Sequence, residues 1–378
     1  MITNTGKNII GKYLLGQAPA YASYIAVGCG PEPLATADPY GNYANKKNLD
    51  FEMFRVPISS RGFVTEGNTS KLVLTAELPT EERYEITEIG LYSAGSNPAN
   101  GAYDSKTVFA FTATENWQYH SATSAVAIDS VSEALDDPGI GGADDNIIAV
   151  TDAVFQTNAD NPIFYKAGRE EIYERCRFFN NTILIKGDTS DLTASATSGF
   201  SIAAGSDHIH LTGVELDFTR NSPDDEIRFA FSIVNKDGDS GASPDTVKIL
   251  IEFASTDTGS GEYARFVVNI TDGAGGYDFS TNRYHVVSKQ LQQLVTTNGF
   301  TWNSVTVVKI YVSTEVSGTP TDDYYIALDA IRLENTQQNN PLYGLTGYSV
   351  VKNTNAETIV KSPNTSNYIE FIFSIGVT

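Results

Sequence analysis

Short runs in which apolar and polar residues alternate dominate the hydropathy pattern of this 378-residue chain. Because alternation with a period of two places every second side chain on one face of a strand, these runs predict half-buried β-strands. The clearest run covers residues 84–92, and residues 71–78 and 368–375 are further strand-length runs. Helical periodicity is nearly absent, and the best helix candidate is a short amphipathic segment beginning near Thr5. The pattern predicts an all-β protein.

Strand-length apolar runs recur at intervals of roughly 8–12 residues in the second half of the chain. They cover residues 182–187, 208–211, 214–218, 227–234, 247–253, 264–270, 283–287, 305–312 and 324–333. This spacing is typical of two sheets packed face to face. Residues 179–339 are therefore predicted to form a jelly-roll β-sandwich.

The strands on either side of the sandwich predict a discontinuous domain. Three short strand candidates after residue 342 are too few to be stable without a second layer. Pairing them with the N-terminal strands meets that need, so residues 1–125 and 340–378 are predicted to form one β-domain. Between Lys106 and Lys166 there is no Lys or Arg, whereas nine Asp and Glu occur there. Residues 126–178 are predicted to be an extended acidic connector.

Composition and charge narrow the choice of partners and compartment. The 46 acidic and 25 basic residues give a formal net charge of −21. Such a surface repels phosphate backbones and anionic lipid, so neither nucleic acid nor membrane is an expected partner, whereas cations, basic protein faces and neutral sugars stay open. Cys29 and Cys176 are expected to be reduced, buried thiols. Residues 1–16 lack the apolar core of a signal peptide, so synthesis in a cytoplasm is expected.

Two stretches have the residue types of metal sites. Residues 235–241 place Asp237 and Asp239 at alternate positions among glycines, which resembles the opening of a calcium loop, although an Asp-Gly pair is also a strong hairpin signal. His208 and His210 share one strand face and could meet one metal ion, with Glu215 following as in half of a cupin motif. The second half of that motif is missing, which favours an edge or surface position for the histidines. No cofactor is required by the sequence, and a structural calcium ion stays open.

The sequence contains no recognisable catalytic motif. The candidates for a glycan hydrolase are paired acids that fall in loops, where a cleft with one raised pKa is not expected. They are Asp136/Asp137, Asp144/Asp145, Asp224/Asp225 and Asp322/Asp323. Several aromatic residues could instead stack on sugar rings, although such residues more often lie in cores or interfaces. They are Trp117, Tyr119, Trp302, Tyr324 and Tyr325.

One stretch resembles a known family signature. Residues 84–92 end in Glu88, Ile89, Gly90, Leu91 and Tyr92, which is similar to the signature near the N-terminus of phage tail-fibre and collar proteins. In that family a β-domain joins the fibre to the virion body, so the resemblance implies a docking role for these five residues, the docking motif. The chain as a whole resembles a virion structural protein of contractile-tailed marine phages. Gly90 within a strand also predicts close approach of another backbone.

A second resemblance concerns residues 324–335. They look like the closing strand of jelly-roll carbohydrate-binding modules, in which an aspartate near this point helps to hold a structural calcium ion. The resemblance implies that Asp329 is that aspartate. The acidic partner usually supplied by an early strand is not identifiable in this chain.

These observations lead to one expectation and its rivals. The chain is expected to be a non-enzymatic virion structural protein of a tailed phage. It is expected to form a homo-oligomer and to be attached at the tail, neck or baseplate by contacts with other virion proteins. The first alternative is a receptor-binding jelly roll that recognises a host surface glycan. The second is a glycan hydrolase, and a third places the chain on the capsid.

Overall fold

The structure is a computed structural model in which the alternating runs form strands. It describes residues 1–17, 21–79, 84–93, 107–111, 118–120, 125–127, 147–151, 181–186, 192–195, 199–202, 208–216, 222–235, 243–256, 261–279, 283–315, 324–334, 344–355, 357–361 and 365–376. The chain divides into two compact units, unit 1 with Met1–Lys106 and Gln338–Thr378, and unit 2 with Thr107–Gln337. The predicted all-β class, with a sandwich inserted into a discontinuous domain, is confirmed.

Unit 1 combines one helix with short antiparallel sheets. Its described elements, numbered along the whole chain, are α1 (Asn4–Leu14), β1 (Tyr24–Gly28), β2 (Glu52–Pro57), β3 (Ser60–Glu66), β4 (Thr69–Leu78), β5 (Tyr84–Ile86), β6 (Glu88–Tyr92), β22 (Leu345–Val350), β23 (Ile359–Lys361) and β24 (Asn367–Gly376). A four-stranded sheet has the order β2-β1-β6-β22, a three-stranded sheet has the order β24-β4-β3, and β23 pairs with β5. The C-terminal strands therefore complete sheets begun by the N-terminal residues.

The predicted helix near Thr5 is confirmed as α1. Thr3 caps its start, since the Thr3 hydroxyl oxygen accepts the Gly6 N–H at 3.0 Å. A Cβ at Gly6 would lie 2.3 Å from the Thr346 carbonyl oxygen, so glycine lets the helix lie directly on β22. No helix in the described part of the chain is long and apolar enough to cross a membrane.

Unit 2 is a β-sandwich of two antiparallel sheets. Its described strands are β7 (Thr107–Phe111), β8 (Gln118–His120), β9 (Ala125–Ala127), β10 (Ile147–Thr151), β11 (Asn181–Lys186), β12 (Leu192–Ser195), β13 (Gly199–Ile202), β14 (His208–Thr212), β15 (Glu226–Asn235), β16 (Thr246–Ala254), β17 (Tyr263–Thr271), β18 (His285–Gln290), β19 (Val295–Thr296), β20 (Val307–Glu315) and β21 (Tyr324–Glu334). Short 3-10 turns cover Ala274–Gly276, Leu291–Gln293 and Trp302–Ser304.

The two sandwich sheets enclose one apolar core. The first has the order β10-β11-β21-β15-β18, with β7 also on β21, and the second has the order β19-β17-β16-β20-β14-β8-β9. Alternate residues of both sheets, such as Phe229, Phe266 and Ile310, are fully buried between them. β7 and β8 belong to unit 2, although residues 107–120 were assigned to the docking domain by the sequence. The predicted limits of the acidic connector stay a prediction, because most of residues 126–178 lies outside the described ranges.

Two predicted strands differ from the structure. The run 84–92 is divided at Thr87 into β5 and β6, which join different sheets. The division is fixed by Thr87, whose N–H and hydroxyl donate to the carbonyls of Gly28 and Gly30 at 2.9 and 2.6 Å. The strand predicted at 214–218 is absent over 214–216, because Gly213 has φ +70° and turns the chain after β14.

Candidate functional site

The docking motif begins with a fully buried carboxylate at the centre of unit 1. Glu88 Oε1 accepts the backbone N–H of Phe51 at 2.7 Å, and Oε2 accepts that of Asp50 at 3.0 Å. The Tyr348 hydroxyl donates to Oε2 at 2.8 Å. Because Tyr348 lies on β22 and Phe51 immediately precedes β2, one side chain of β6 holds together three parts of the four-stranded sheet.

Two glycines of the neighbouring segment make room for this carboxylate. A Cβ at Gly28 would lie 2.6 Å from Glu88 Oε1, and a Cβ at Gly30 would lie 2.9 Å from the same atom. Burial raises the pKa of Glu88 to about 7, and the negative charge of Asp50 adds to the rise against the opposing hydrogen bonds. The Glu88 carboxyl therefore titrates near neutral pH.

The motif ends with an aromatic ring that is 1% exposed, Tyr92. Its hydroxyl donates to Glu52 Oε2 at 3.2 Å, and the same carboxylate oxygen pairs with Arg55 Nη2 at 2.7 Å. The Arg55 guanidinium carbon lies 3.7 Å from the centre of the Tyr92 ring, which is a cation–π contact. The Tyr92 ring of the docking motif therefore packs against this buried ion pair.

The middle of the motif packs tightly. A Cβ at Gly90 would lie 2.3 Å from Leu49 Cδ1 and 2.7 Å from Leu345 Cδ1, so leucine methyl groups, and not the backbone expected from the sequence, approach this glycine. Leu91 is fully buried, and Ile89 is partly buried against the same core. The motif residues thus build the domain from inside, and their predicted role in docking stays a prediction.

Outward-facing apolar residues are found elsewhere in unit 1, on the three-stranded sheet. One face of this sheet packs Leu74, Ala76 and Phe371 into the core. On the opposite face Tyr368 and Ile372 of β24 are 62% and 51% exposed. We call this second face the exposed face, and its described members include Ser60, Gly62, Val64, Glu66, Thr69, Lys71, Val73, Thr75, Glu77, Tyr368, Glu370 and Ile372.

Sequence reasoning identified these strands and missed this face. Val64 is 43% exposed, and Val73 lies directly opposite Ile372 in the register of β4 and β24. The available signal was the run 368–373, which is apolar at positions of both parities and therefore cannot bury all of its apolar side chains against one core. Every large apolar side chain that is exposed within the described residues belongs to unit 1.

The predicted calcium ligands fall in unit 2. Asp329 is buried at an irregularity of the pairing between β15 and β21, where its Oδ1 accepts the Ala330 N–H at 2.6 Å and Ala330 has φ +52°. Asp237 and Asp239 lie outside the described residues. No group of three or more His, Cys, Asp and Glu side chains in the described ranges could hold a metal ion. Calcium at these aspartates stays a prediction.

The two histidines of the cupin-like pattern lie inside the sandwich sheet. His208 and His210 are 7% and 2% exposed on β14, which has β20 on one side and β8 on the other. The expected edge or surface position is wrong, because both rings are buried and β8 pairs with the side of β14 that is not occupied by β20. The His208 ring stacks on Tyr311 with 4.7 Å between ring centres. Glu215 is exposed.

A row of polar side chains crosses the face of this sheet that points away from the core. Arg265, Glu252, Lys309 and His210 occupy directly opposed positions on β17, β16, β20 and β14. Arg265 Nη2 lies 2.7 Å from Glu252 Oε2, and Lys309 Nζ lies 3.9 Å from Glu252 Oε1. Charged groups with this little exposure are retained only where they bond to one another or to a ligand.

The hairpin β12–β13 covers part of that face. Leu192 and Phe200 of the hairpin pack on Leu250 and Tyr311 of the sheet. The hairpin backbone is also hydrogen-bonded to the sheet, since Lys248 Nζ on β16 donates to the Leu192 carbonyl at 3.1 Å. The polar row therefore borders a covered part of the sheet.

Of the four acidic pairs named as hydrolase candidates, only Asp224/Asp225 lies within the described residues. Asp225 is buried, and its Oδ2 accepts the Ser222 N–H at 2.8 Å within a turn, whereas Asp224 is exposed. The other three acidic pairs lie outside the described ranges, as does Trp117. Trp302 is half-buried and packs on Phe253 with 5.3 Å between ring centres, which is a core contact and not a sugar platform. The side chains of Tyr119, Tyr324 and Tyr325 are not among those described.

Comparisons with known proteins give distant likenesses. No protein-family model matches the chain, and no curated protein sequence matches it. A non-crystalline cellulose specific carbohydrate-binding module, CBM28, is 12% identical over 42% of this chain and 77% of its own, with a TM-score of 0.27. The N-terminal cellulose-binding domain of Cellulomonas fimi β-1,4-glucanase C is 11% identical over 56% of this chain and 99% of its own, with a TM-score of 0.22. SGBP-B from a xyloglucan utilization locus of Bacteroides uniformis is 10% identical over 83% of this chain and 92% of its own, with a TM-score of 0.29.

Proposed function

We propose that this chain is a non-catalytic attachment protein in which unit 1 binds other proteins and unit 2 carries a β-sandwich. The observation that carries the proposal is the confinement of exposed large apolar side chains, within the described residues, to unit 1. Scattered apolar residues are ordinary on a protein surface, but a contiguous apolar sheet face marks an interaction site. On the exposed face Val73 lies directly opposite Ile372 and diagonal to Val64, so these three form such a group, and Tyr368 lies farther along β24 beyond Glu370.

The open edge of the same sheet adds a second means of attachment. Among the described strands β3 pairs with β4 alone, and six of its seven residues are exposed. Phe63, the middle residue of β3, is 65% exposed. An exposed edge with apolar side chains can accept a strand from another chain, as in β-augmentation.

The setting of this attachment is inferred from the docking motif. Its resemblance to the phage tail-fibre and collar signature supports a virion structural protein of a tailed phage, assembled in the host cytoplasm and attached at the tail, neck or baseplate. Several copies around a symmetric particle would convert weak individual contacts into firm attachment.

Immunogold labelling of intact particles with an antibody against this chain tests the setting. Gold at the neck, tail or baseplate would support the proposal. Particles without gold, together with the protein in the infected lysate alone, would contradict it.

A matched pair of variants tests the role of unit 1. Ile372→Ser removes an apolar group from the exposed face, and Ile359→Ser removes a similar group, 49% exposed, from β23. We expect Ile372→Ser to reduce the number of copies per particle severalfold and Ile359→Ser to leave that number unchanged. Equal incorporation of both variants would contradict docking through this sheet.

A second candidate function is binding of a host surface glycan by unit 2. The observation that favours it is the polar row on the sandwich sheet, since charged side chains held in place by ion pairs match the hydroxyls of sugars. Titration of the full chain with a panel of soluble glycans tests it. Binding that is lost in Lys309→Met would establish this function, whereas release of reducing sugar from the same panel would favour a glycan hydrolase instead.

A further inference from the structure

Carboxylates are interleaved with the apolar groups of the exposed face. Glu370 lies between Tyr368 and Ile372 along β24, and Glu77 lies directly opposite Tyr368 on β4. Because Glu370 is opposite Thr75, the two glutamates are diagonal neighbours on adjacent strands, about 7–8 Å apart in ordinary sheet geometry. The face therefore combines an apolar row with a pair of like charges.

These two charges are not neutralised by the described residues. Neither Glu77 nor Glu370 has a hydrogen bond or ion pair there, and both are exposed. The one described cation of the face, Lys71, is paired with Glu66. Arg61 projects to the other side of the sheet, where its Nη2 donates to the Ala22 carbonyl at 3.3 Å. Like charges on neighbouring strands repel each other, so an incoming cation would relieve this repulsion.

We propose that the exposed face binds a protein surface with apolar side chains at its centre and Lys or Arg residues placed to meet Glu77 and Glu370. The inference rests on the proposed docking role of unit 1 and specifies the chemistry of its partner. A second copy of the chain is disfavoured as the occupant, because two such faces would bring four carboxylates together in chains that each carry a net charge of −21.

A synthetic peptide supplies a defined probe for this chemistry. The probe alternates Val and Arg, so that as a strand it presents one apolar and one basic face, and the control peptide replaces every Arg by Glu. Fluorescence anisotropy of the labelled peptides with the full chain measures binding at low salt and near physiological salt. The Arg peptide should bind, and its affinity should fall as salt rises, because exposed charges are screened.

Charge-reversal variants locate the binding. In the double variant Glu77→Lys/Glu370→Lys, two attractive contacts become repulsive, so affinity for the Arg peptide should fall roughly tenfold and the Glu peptide should now bind. Gain of binding to the Glu peptide shows that the variant is folded. Glu215→Lys makes the same kind of charge change at an exposed position of unit 2 and should leave binding of the Arg peptide unchanged.

The apolar part of the face has its own control. Ile372→Ser should weaken the Arg peptide severalfold, whereas Ile359→Ser should not. Equal binding of the Arg peptide to the wild type, the double-lysine variant and Ile372→Ser would overturn the inference.

Failure of the inference can be distinguished from failure of the proposed function. Suppose that particles carry gold label and fail to incorporate the Ile372→Ser variant, but that the double-lysine variant binds the Arg peptide as the wild type does. The docking role would then stand, and the basic partner would be contradicted. Particles that never carry the chain, combined with specific peptide binding, would do the reverse.

Discussion

The buried carboxyl of Glu88 makes the stability of unit 1 depend on pH. In the folded chain its pKa is raised from 4.5 to about 7 by burial and by the charge of Asp50. Folding therefore favours the protonated form, and the folded state holds more protons than the unfolded state between these two values. The contribution of Glu88 to the free energy of unfolding is fully present below the unfolded pKa of 4.5, and it is lost as the pH rises through the folded pKa of about 7.

The size of the effect follows from the shift. A change of one pKa unit corresponds to about 1.4 kcal/mol of folding free energy. The shift of the Glu88 pKa from 4.5 to about 7 therefore corresponds to about 3 kcal/mol. The free energy of unfolding of unit 1 should fall by about this amount between pH 4.5 and pH 8. That is a large part of the stability of an ordinary domain.

A thiol assay can follow unit 1 separately. Cys29 belongs to unit 1 and is 1% exposed, so its reaction with an aromatic disulfide reagent reports opening of this unit. In a Cys176→Ser background, urea titrations at a series of pH values give the free energy of unfolding from the protection of Cys29. The Glu88→Gln variant serves as the control, because its side chain does not titrate.

Three donors point at the Glu88 carboxylate, and a glutamine offers one oxygen in place of two. Glu88→Gln should therefore be less stable than the wild type by about 1–3 kcal/mol at low pH, with a smaller difference at high pH. If both proteins lose stability in parallel as the pH rises, the dependence arises from another source, such as general charge repulsion, and the reasoning about Glu88 fails.

Two further stability predictions use matched controls. Gly90→Ala should destabilise unit 1 by about 1–3 kcal/mol in the thiol assay, because its Cβ would lie 2.3 Å from a leucine methyl group, whereas Gly62→Ala, with its nearest neighbour at 3.9 Å, should change stability by less than about 1 kcal/mol. Equal effects would contradict the packing argument. In unit 2, Arg332→Ala breaks the buried ion pair with Glu334 and should lower the free energy of unfolding by about 3–5 kcal/mol. The fluorescence of the two tryptophans, whose positions both fall in unit 2, measures this change. Lys71→Ala breaks an exposed pair and should cost less than about 1 kcal/mol in the thiol assay; a similar cost for both would show that burial does not decide the effect.

The sequence predicts the strands better than the faces they present. Period-two alternation identified β4 and β24, and the need for a second layer correctly predicted that the C-terminal strands complete N-terminal sheets. The division of residues 84–92 at Thr87 escaped prediction, because it depends on hydrogen bonds to Gly28 and Gly30, which are distant in sequence. Alternation also cannot state which sheet a strand joins.

Burial of polar groups was the least predictable property of the site. Nothing local to Glu88 distinguishes it from a solvent-exposed acid such as Glu77, since its partners Asp50, Phe51 and Tyr348 come from two other segments. For His210 the missing half of the cupin motif favoured an edge or surface position. The pairing of β8 with β14 was not predictable, because it joins residues that are about ninety positions apart. The motif resemblance singled out β6 but gave no indication that most of its side chains face inward.

Amide hydrogen exchange of the chain, measured in solution and on assembled particles, tests docking through unit 1 most directly. Attachment should slow exchange in the peptides that contain β3 and β24, while the peptides of β16 and β17 in unit 2 keep their solution rates. Slower exchange confined to unit 2, with β3 and β24 unchanged, would contradict it.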